Sequence, residues 1–454
     1  MDRYDSYKDS GVEWIGDIPS EWECIRLGML GDFSSSGIDK KSKENETPVR
    51  MVNYTDLIQS RKYYPIQSGE KEYMRVTTPL SKLEEHRLEK GDMVFIPSSE
   101  THEDLGYSSL IDFDEDDIVY SYHILRYKTK KPIYHYYKKY LVNHHSVLNQ
   151  FSSECKGTTR QIIGRNVFNN VRVVLPPISE QQQIVSFLDT KTSLIDSLIE
   201  KTQRKIELLK EKRTSLINEL VTKGLNPNVE MKDSGVEWIG EIPSHWELKK
   251  IKHLKSSEKY SLVDGPFGSN LKSIHYVDDG DVYVIESGFI TSGKFKYVRK
   301  FKTITEEHFE TIKRSQCKEG DIIISKIGEY YGMSGILPKL DKKSVISGNS
   351  LSLTLNKDTN TEFIHHVLIQ HRINGTFKKE VQQTGQPFIS LGVINNLVIP
   401  TPDLNEQQQI VEYLDEQTEL IDKTISIEEK RIELLKEYRQ SLISEVVTGK
   451  RKVV

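Results

Sequence analysis

Between Ser179 and Thr222 the apolar residues Ile184, Leu188, Ile195, Leu198, Ile199, Ile206, Leu209, Leu216 and Leu220 recur in helical register, and no proline or glycine interrupts them. The spacing predicts one amphipathic helix of 44 residues, roughly 65 Å long at about 1.5 Å per residue. Steps of eleven dominate, as in 184, 195, 206 and in 198, 209, 220, so the stripe advances every ~3.67 residues and the helix is expected to run nearly straight. The pattern returns from Asn405 to Thr448 with Ile410, Leu414, Ile421, Ile425, Ile432, Leu435, Leu442 and Val446. A proline precedes each stretch, followed by Ser179 with Gln182 or Asn405 with Gln408, the spacing of a capping box. Two helices with one apolar stripe each are natural partners, and the predicted seam is Ile184, Leu188, Ile195, Ile199, Ile206, Leu209, Leu216 and Leu220 against the eight apolar residues of the second stretch. The alternative is that each helix packs on a globular domain of its own.

Repetition extends to the rest of the chain. Lys8 to Trp22, KDSGVEWIGDIPSEW, returns at Lys232 to Trp246 as KDSGVEWIGEIPSHW, an offset of 224. EQQQIV at Glu180 and IELLKE at Ile206 return at Glu406 and Ile432, offset by 226. The chain therefore reads as two cassettes, each with a motif, a lobe, a short strand ending in proline and a long helix. The expected divisions are a motif segment 1–23, a first lobe 24–178, a central helix 179–223, a linker and repeated motif 224–247, a second lobe 248–403 and a C-terminal helix 404–454. Within the lobes the order of features is kept while the residues change. GDMVFI (from Gly91) corresponds to GDIIIS (from Gly320), and the Gly/Thr loop KGTTRQ (Lys156 to Gln161) to TGQPF (Thr384 to Phe388). The closing strands share the pairs Asn169/Asn170 and Asn395/Asn396. Each lobe is expected to be α/β, more strictly α+β, around a mixed sheet. Trp14, Trp22, Trp238 and Trp246, all four tryptophans, lie in the two motif copies, where they dock on a lobe or on another subunit.

Composition narrows the class. A chain of 454 residues is too long for one core. No run approaches ~18 apolar residues, and MDRYDSYKDS lacks the basic and apolar regions of a signal peptide, so no membrane and a cytoplasmic location are expected. Cys24, Cys155 and Cys317 have no metal-binding spacing. The net charge of -4 divides unevenly: residues 24–178 carry +2 and 248–402 carry +6, while 1–23, 179–247 and 403–454 carry -5, -3 and -4. Mildly basic lobes on acidic helices suit lobes that touch a polyanion and helices that touch protein.

Catalytic constellations do not stand out. Methyl transfer would need a glycine-rich cofactor loop and an Asn/Asp-Pro-Pro-aromatic loop, whereas Pro176 and Pro177 are followed by Ile178 and the helix. Gly288 to Lys294, GFITSGK, matches most of a phosphate loop, but Phe295 replaces the Ser/Thr that holds magnesium. The pairs His144/His145 and His365/His366 lack carboxylates at metal-ligand spacing and read as surface or partly buried residues. Asp112 to Asp117, DFDEDD, reads as a solvated turn.

The doubled SGVEWIG–IP–W motif, the doubled EQQQIV helices and the two divergent lobes together resemble the specificity (S) subunit of type I restriction-modification systems, and the resemblance spans essentially the whole chain. It implies that the lobes are target-recognition domains, each reading one half of an asymmetric bipartite site in double-stranded DNA. The helices would form an antiparallel pair that sets the gap and docks two methyltransferase subunits; the surface outside the apolar stripes, rich in Glu, Lys and Gln at EQQQ and IELLKE, is the part left for those partners. Two restriction subunits would complete the full complex. No catalysis and no cofactor are expected in this chain; S-adenosylmethionine, ATP and Mg2+ would serve adenine N6 methylation and cleavage in the partner subunits. A recognition subunit of a related bipartite restriction system, or a coiled-coil scaffold without DNA, remain as alternatives. Polar and basic loop positions that differ between lobes are the candidate DNA contacts. In the first lobe these are Ser98, Ser99, Thr101, His102, Lys156, Thr158, Thr159, Arg160 and Gln161. In the second they are Ser269, Asn270, Lys272, Lys326, Glu329, Tyr330, Tyr331, Thr384 and Gln386.

Overall fold

A computed structural model of the chain describes residues 3–61, 65–380 and 387–453. It divides into two compact units, one made of Met1–Arg204 with Glu428–Val454 and one of Lys205–Ile427. Two continuous helices, Ile178–Lys223 and Leu404–Val447, are shared between the units and pack against each other. In the first unit Arg439 grips the Asp196 carboxylate with two bonds of 2.9 and 3.2 Å. In the second, Arg213 lies 3.1 Å from Asp422. The offset of 226 maps Asp196 onto Asp422 and Arg213 onto Arg439, so one antiparallel contact is written once in the sequence and made twice.

The seam corrects the predicted stripe in its detail. Ile184, Leu188, Ile195, Ile206, Leu220, Ile410, Leu414, Ile421, Ile425, Ile432, Leu442 and Val446 are buried, but Ile199, Leu209, Leu216 and Leu435 are only half-buried and Leu198 is exposed. Toward the helix ends the apolar face widens to include Val185, Ile217, Val221, Val411, Ile443 and Val447. The reason is packing in two directions: Ile184 and Leu188 share one core with Val446 of the other helix and with Trp22 and Val173 of the lobe. Ile410 and Leu414 do the same with Leu220, Trp246 and Ile399. The two packing alternatives are therefore both realised. The start is also corrected. Each helix begins one residue before the proposed cap, and in the second it is Asp403 whose Oδ1 accepts from Glu406 N at 2.9 Å.

The repeated motif clasps the helix ends. Its strands Tyr7–Asp9 and Asp17–Pro19 pair antiparallel, as do Met231–Asp233 and Glu241–Pro243. Trp22 and Trp246 are fully buried, whereas Trp14 is exposed. Trp22 Nε1 donates to Glu180 Oε2 at 3.1 Å, and Trp246 Nε1 to Glu406 Oε2 at 2.9 Å. Gly449, just past the second helix at φ +74°, leaves no room for a Cβ against Pro19, and Gly224, past the first at φ +75°, abuts Trp246. Each buried indole thus meets the start of one long helix and the end of the other.

Each lobe is inserted between two antiparallel closing strands, Glu23–Arg26 with Arg172–Leu175 in the first and Glu247–Lys250 with Val398–Thr401 in the second. Between them the first lobe carries a mixed five-stranded sheet, in the order Gly31–Ser34, Leu125–Thr129, Met93–Phe95, Ser108–Ile111, Ile66–Gln67, and a three-stranded one. The second lobe carries two four-stranded sheets. The recurring Gly-Asp has one local role: Asp92 accepts from Glu89 N and Asp321 from Lys318 N, closing the turn that launches each central strand. Gln181 and Gln407, both buried, make matching bonds at the root. Gln181 accepts from Tyr134 N and donates to Pro176 O, and Gln407 accepts from Asn360 N and donates to Pro402 O.

Candidate nucleic-acid interface

In the first lobe the fold brings the two predicted loop segments together. Ser98–Ser99 pairs antiparallel with Gln161–Ile162, and Ile163 N donates to Pro97 O at 2.8 Å. KGTTRQ is pinched at its base by Lys156 and Ile162, each donating its N–H to the other's carbonyl at 3.1 and 2.8 Å. Gly157 takes φ +122°, and a Cβ there would collide with the Arg160 carbonyl, so the turn requires glycine. Lys156, Thr158, Thr159 and Arg160 project from it into solvent, beside exposed Thr101 and His102. Cys155 Sγ lies 3.7 Å from His102 Nε2 and 3.5 Å from Gln161 Oε1, joining the two segments through side chains as well.

Some predicted contacts are builders instead. Ser99 is buried, bonded to Tyr54 Oη at 3.0 Å and receiving Thr101 N at 3.0 Å, because its hydroxyl closes a turn. Ser98 and Gln161 are half-buried. Residues that sequence reasoning missed lie alongside. Tyr122 is exposed with its ring 3.8 Å from that of His123, and burial, followed by the Arg160 and Lys40 cations, holds His123 below its ordinary pKa. Only the fold could bring Lys40, His123 and Arg160 to one place.

The second lobe repeats the backbone arrangement. Lys326 O accepts from Ile389 N at 2.9 Å, and Ile327 bridges antiparallel to Phe388. Thr384 and Gln386 lie outside the described residues. Lys326 is withdrawn from solvent with its ammonium 3.5 Å from Asp264, which also holds Arg314 at 2.8 Å, so it is committed internally. Tyr331 is half-buried on the core, and Arg372 donates to its carbonyl and to that of Glu329. That leaves Glu329 and Tyr330 exposed at the turn, with Ser269, Asn270 and Lys272 exposed in GPFGSNLK. Phe267, 70% exposed, and Ile274, 80% exposed, flank the latter group.

Other expectations change once burial is known. His144 and His365 are buried, not superficial; burial pushes His144 down to about 3. DFDEDD is partnered: Asp112 pairs with Lys90 and is hydrogen-bonded to His135, each at 3.0 Å, and Asp117 pairs with Arg50. Among the described residues no cluster of three or more His, Cys, Asp or Glu could hold a metal ion, and no described helix is long and apolar enough to cross a membrane.

The type I restriction modification DNA specificity domain matches the chain twice, at residues 19–208 and 268–437. The chain is 27% identical over 305 residues to the type I restriction enzyme MjaVIII specificity subunit of Methanocaldococcus jannaschii, covering 66% of this chain and 67% of that one. To the putative MjaX specificity subunit of the same organism it is 24% identical over 454 residues, covering 97% and 96%. A chain of a type I R-M system solved to explain complex assembly and conformational transition matches with a TM-score of 0.70 and 14% identity, covering 95% and 98%. The HsdS subunit of Thermoanaerobacter tengcongensis matches at 0.55 and 15%, covering 96% and 98%. At such identities the two structures speak for the fold alone.

Proposed function

The chain belongs to the type I restriction modification DNA specificity family, and on that premise we propose that its two lobes read the two halves of one bipartite site in double-stranded DNA. It is a specificity subunit, not a catalytic one. The observation that carries the reading is the shared construction of the lobe tips. The same strand-to-loop bond, Ile163 to Pro97 and Ile389 to Lys326, supports loops whose exposed side chains differ. One scaffold with two side-chain sets suits two different half-sites. Lys156, Arg160 and Lys272 supply charge for phosphates, while Thr101, His102, Asn270 and Glu329 offer donors and acceptors to base edges.

The long helices set the distance between half-sites and dock two methyltransferase subunits. Supporting this, apolar side chains remain uncovered on them: Leu194, Leu198, Leu434 and Tyr438 in the first unit, and Leu208, Tyr413, Leu420 and Ile427 in the second. The offset of 226 maps Leu194 onto Leu420 and Leu208 onto Leu434, which suits two copies of one partner. EQQQ contributes less than its polarity suggests, since its Glu and first Gln are engaged at the lobe root. Methyl transfer from S-adenosylmethionine to adenine N6, and ATP- and Mg2+-dependent cleavage with two restriction subunits, belong to those partners.

Methylation mapping in cells tests both parts. Exchanging residues 24–175 for the matching segment of another specificity subunit should change one half-site only. Inserting four residues into each helix, roughly 6 Å, should widen the unread gap by about one or two base pairs at ~3.4 Å each. Changes in both half-sites after the exchange, or an unmoved gap after the insertion, would refute the reading.

A further inference from the structure

Two loops of the second lobe leave one edge of one sheet. The strand Leu262–Asp264 pairs antiparallel with Ser350–Leu353, which pairs antiparallel with Ile322–Ser325. The first and third therefore run the same way, and both end beside Ser350: Gly265 N donates to Ser350 O at 2.9 Å, and Ser325 is paired in register with Ser350. Two strand spacings, about 10 Å, separate the start of GPFGSNLK from the start of the turn that carries Glu329 and Tyr330. GPFGSNLK thus belongs to the same tip.

The loop is held at both ends. Gly265 lies against the Ser347 carbonyl, where a Cβ would collide. Asn270 N donates to Phe267 O at 2.7 Å, closing a tight turn, and His308 Nε2 donates to Asn270 O at 2.9 Å. Leu271 then packs on the core of Val282, Val284 and Phe309. The backbone of Phe267 is therefore fixed while its ring, 70% exposed, faces solvent. The first lobe has no such residue at the same place. Its corresponding strand, Gly31–Ser34, pairs with Leu125–Thr129, which pairs with Met93–Phe95, in the same order. That strand continues into SSGIDK, whose one apolar residue, Ile38, is buried. Tyr122, the exposed aromatic residue of the first tip, has its ring against that of His123.

Resting on the reading of the lobes as DNA readers, we propose that Phe267 is a wedge that enters the base stack of the second half-site, parting two base pairs and bending the duplex there. A phenyl ring has no donor or acceptor for a base edge, so in contact with DNA it meets either a thymine methyl or the face of a base. The surroundings favour a polyanion: Lys272 is exposed five residues on, and residues 248–402 carry +6, which draws the duplex onto the ring. Because the turn is already fixed, no loop has to be ordered on binding, and insertion costs less. Pyrimidine–purine steps unstack and kink most easily, so such a step is the one the ring should part. The wedge adds a readout of DNA deformability in one half-site to the base-edge contacts of both.

The test uses the full-length chain, purified with the methyltransferase subunits, on duplexes carrying the site found by methylation mapping. 2-Aminopurine replaces one adenine at a time; the methylated adenine, which a methyltransferase flips out of the stack, is left in place. On binding, fluorescence should rise at one step of the half-site that the 24–175 exchange leaves unchanged, and energy transfer between end labels should report a bend. Phe267→Ala should abolish the rise and reduce the bend. It should also weaken binding by roughly five- to a hundred-fold, the usual worth of an aromatic ring stacked on a base, with the thermal midpoint unmoved. Phe267→Leu, which keeps an apolar wedge, should retain part of the bend, and Lys272→Ala should weaken binding while leaving the fluorescence rise. Salt-dependent binding with no rise at any step of that half-site, or a rise that survives Phe267→Ala, would overturn the wedge and leave the lobes as DNA readers. Absence of DNA binding would overturn that reading, and the wedge with it.

Discussion

At the root of each lobe a buried tryptophan donates to the glutamate that opens a long helix, and a buried glutamine joins a proline carbonyl to a backbone N–H, with the same atoms in both copies. At the tips only the backbone bridge is shared. Arg160, Thr158 and His102 have no counterparts in kind among Glu329, Tyr330 and Asn270. The root is over-determined: each indole touches the start of one helix and the end of the other, so neither can change alone. The tips carry no such mutual constraint. Duplicated chains can therefore diverge at the tips while the roots continue to position them.

The largest effect should come from breaking the root. Trp22→Ala or Trp246→Ala removes a fully buried indole and should cost about 3–5 kcal/mol in the affected unit. Urea denaturation would report it. Glu180→Gln, which keeps an acceptor for the indole, should cost much less than Glu180→Leu, which strands the donor at about 1–3 kcal/mol. Equal losses for those two variants would mean that packing alone, and not the bond, fixes the root.

This contrast also decides what could be read from the residues. Periodicity revealed the helices and their seam because burial on one face leaves a regular trace, although it named Leu209 and Leu216, which are half-buried, and passed over Ile217 and Val221. Those two are buried because the lobe packs there, from a direction the helical period does not contain. EQQQ reads as a surface left for partner subunits, yet Gln181 and Gln407 are buried; a polar side chain satisfied by backbone looks in sequence like one left for a partner. Lys326 and Ser99 failed as surface candidates for the same reason, each being held by a partner distant in sequence, Asp264 and Tyr54. The meeting of Ser98–Ser99 with Gln161–Ile162 was unreadable as a pairing, though both segments were chosen on chemistry.

A smaller effect should separate the units by pH. The strongly lowered histidines include His144 in the first unit, at about 3, and His366 and His371 in the second, at about 3 and about 4. Burial is the first cause in all three. Because the folded pKa lies below the unfolded value near 6.5, the unfolded chain takes up protons first, so stability is full above that value and falls as the pH drops toward the folded one. Between pH 6.5 and 5 each such histidine should cost roughly 1–2 kcal/mol. The second unit should therefore lose protection faster, which hydrogen exchange resolved by segment would register. Equal losses in both units would mean that the histidines do not control acid stability.

The smallest structural change, at a tip, should leave stability alone and touch binding only. Arg160 is exposed and projects from a turn fixed by its backbone and by Gly157, so Arg160→Ala should alter unfolding by no more than about 0.5 kcal/mol. If the guanidinium reads a base, affinity for the cognate site should fall by about 1–3 kcal/mol with relaxed preference at one position. If it holds a phosphate, affinity should fall uniformly across sequences and the slope of log K against log salt should drop by about one. Gly157→Ala is the control on the same loop: it places a Cβ against the Arg160 carbonyl and should disturb the whole turn. Binding that ignores Arg160→Ala in both respects would remove Arg160 from the interface.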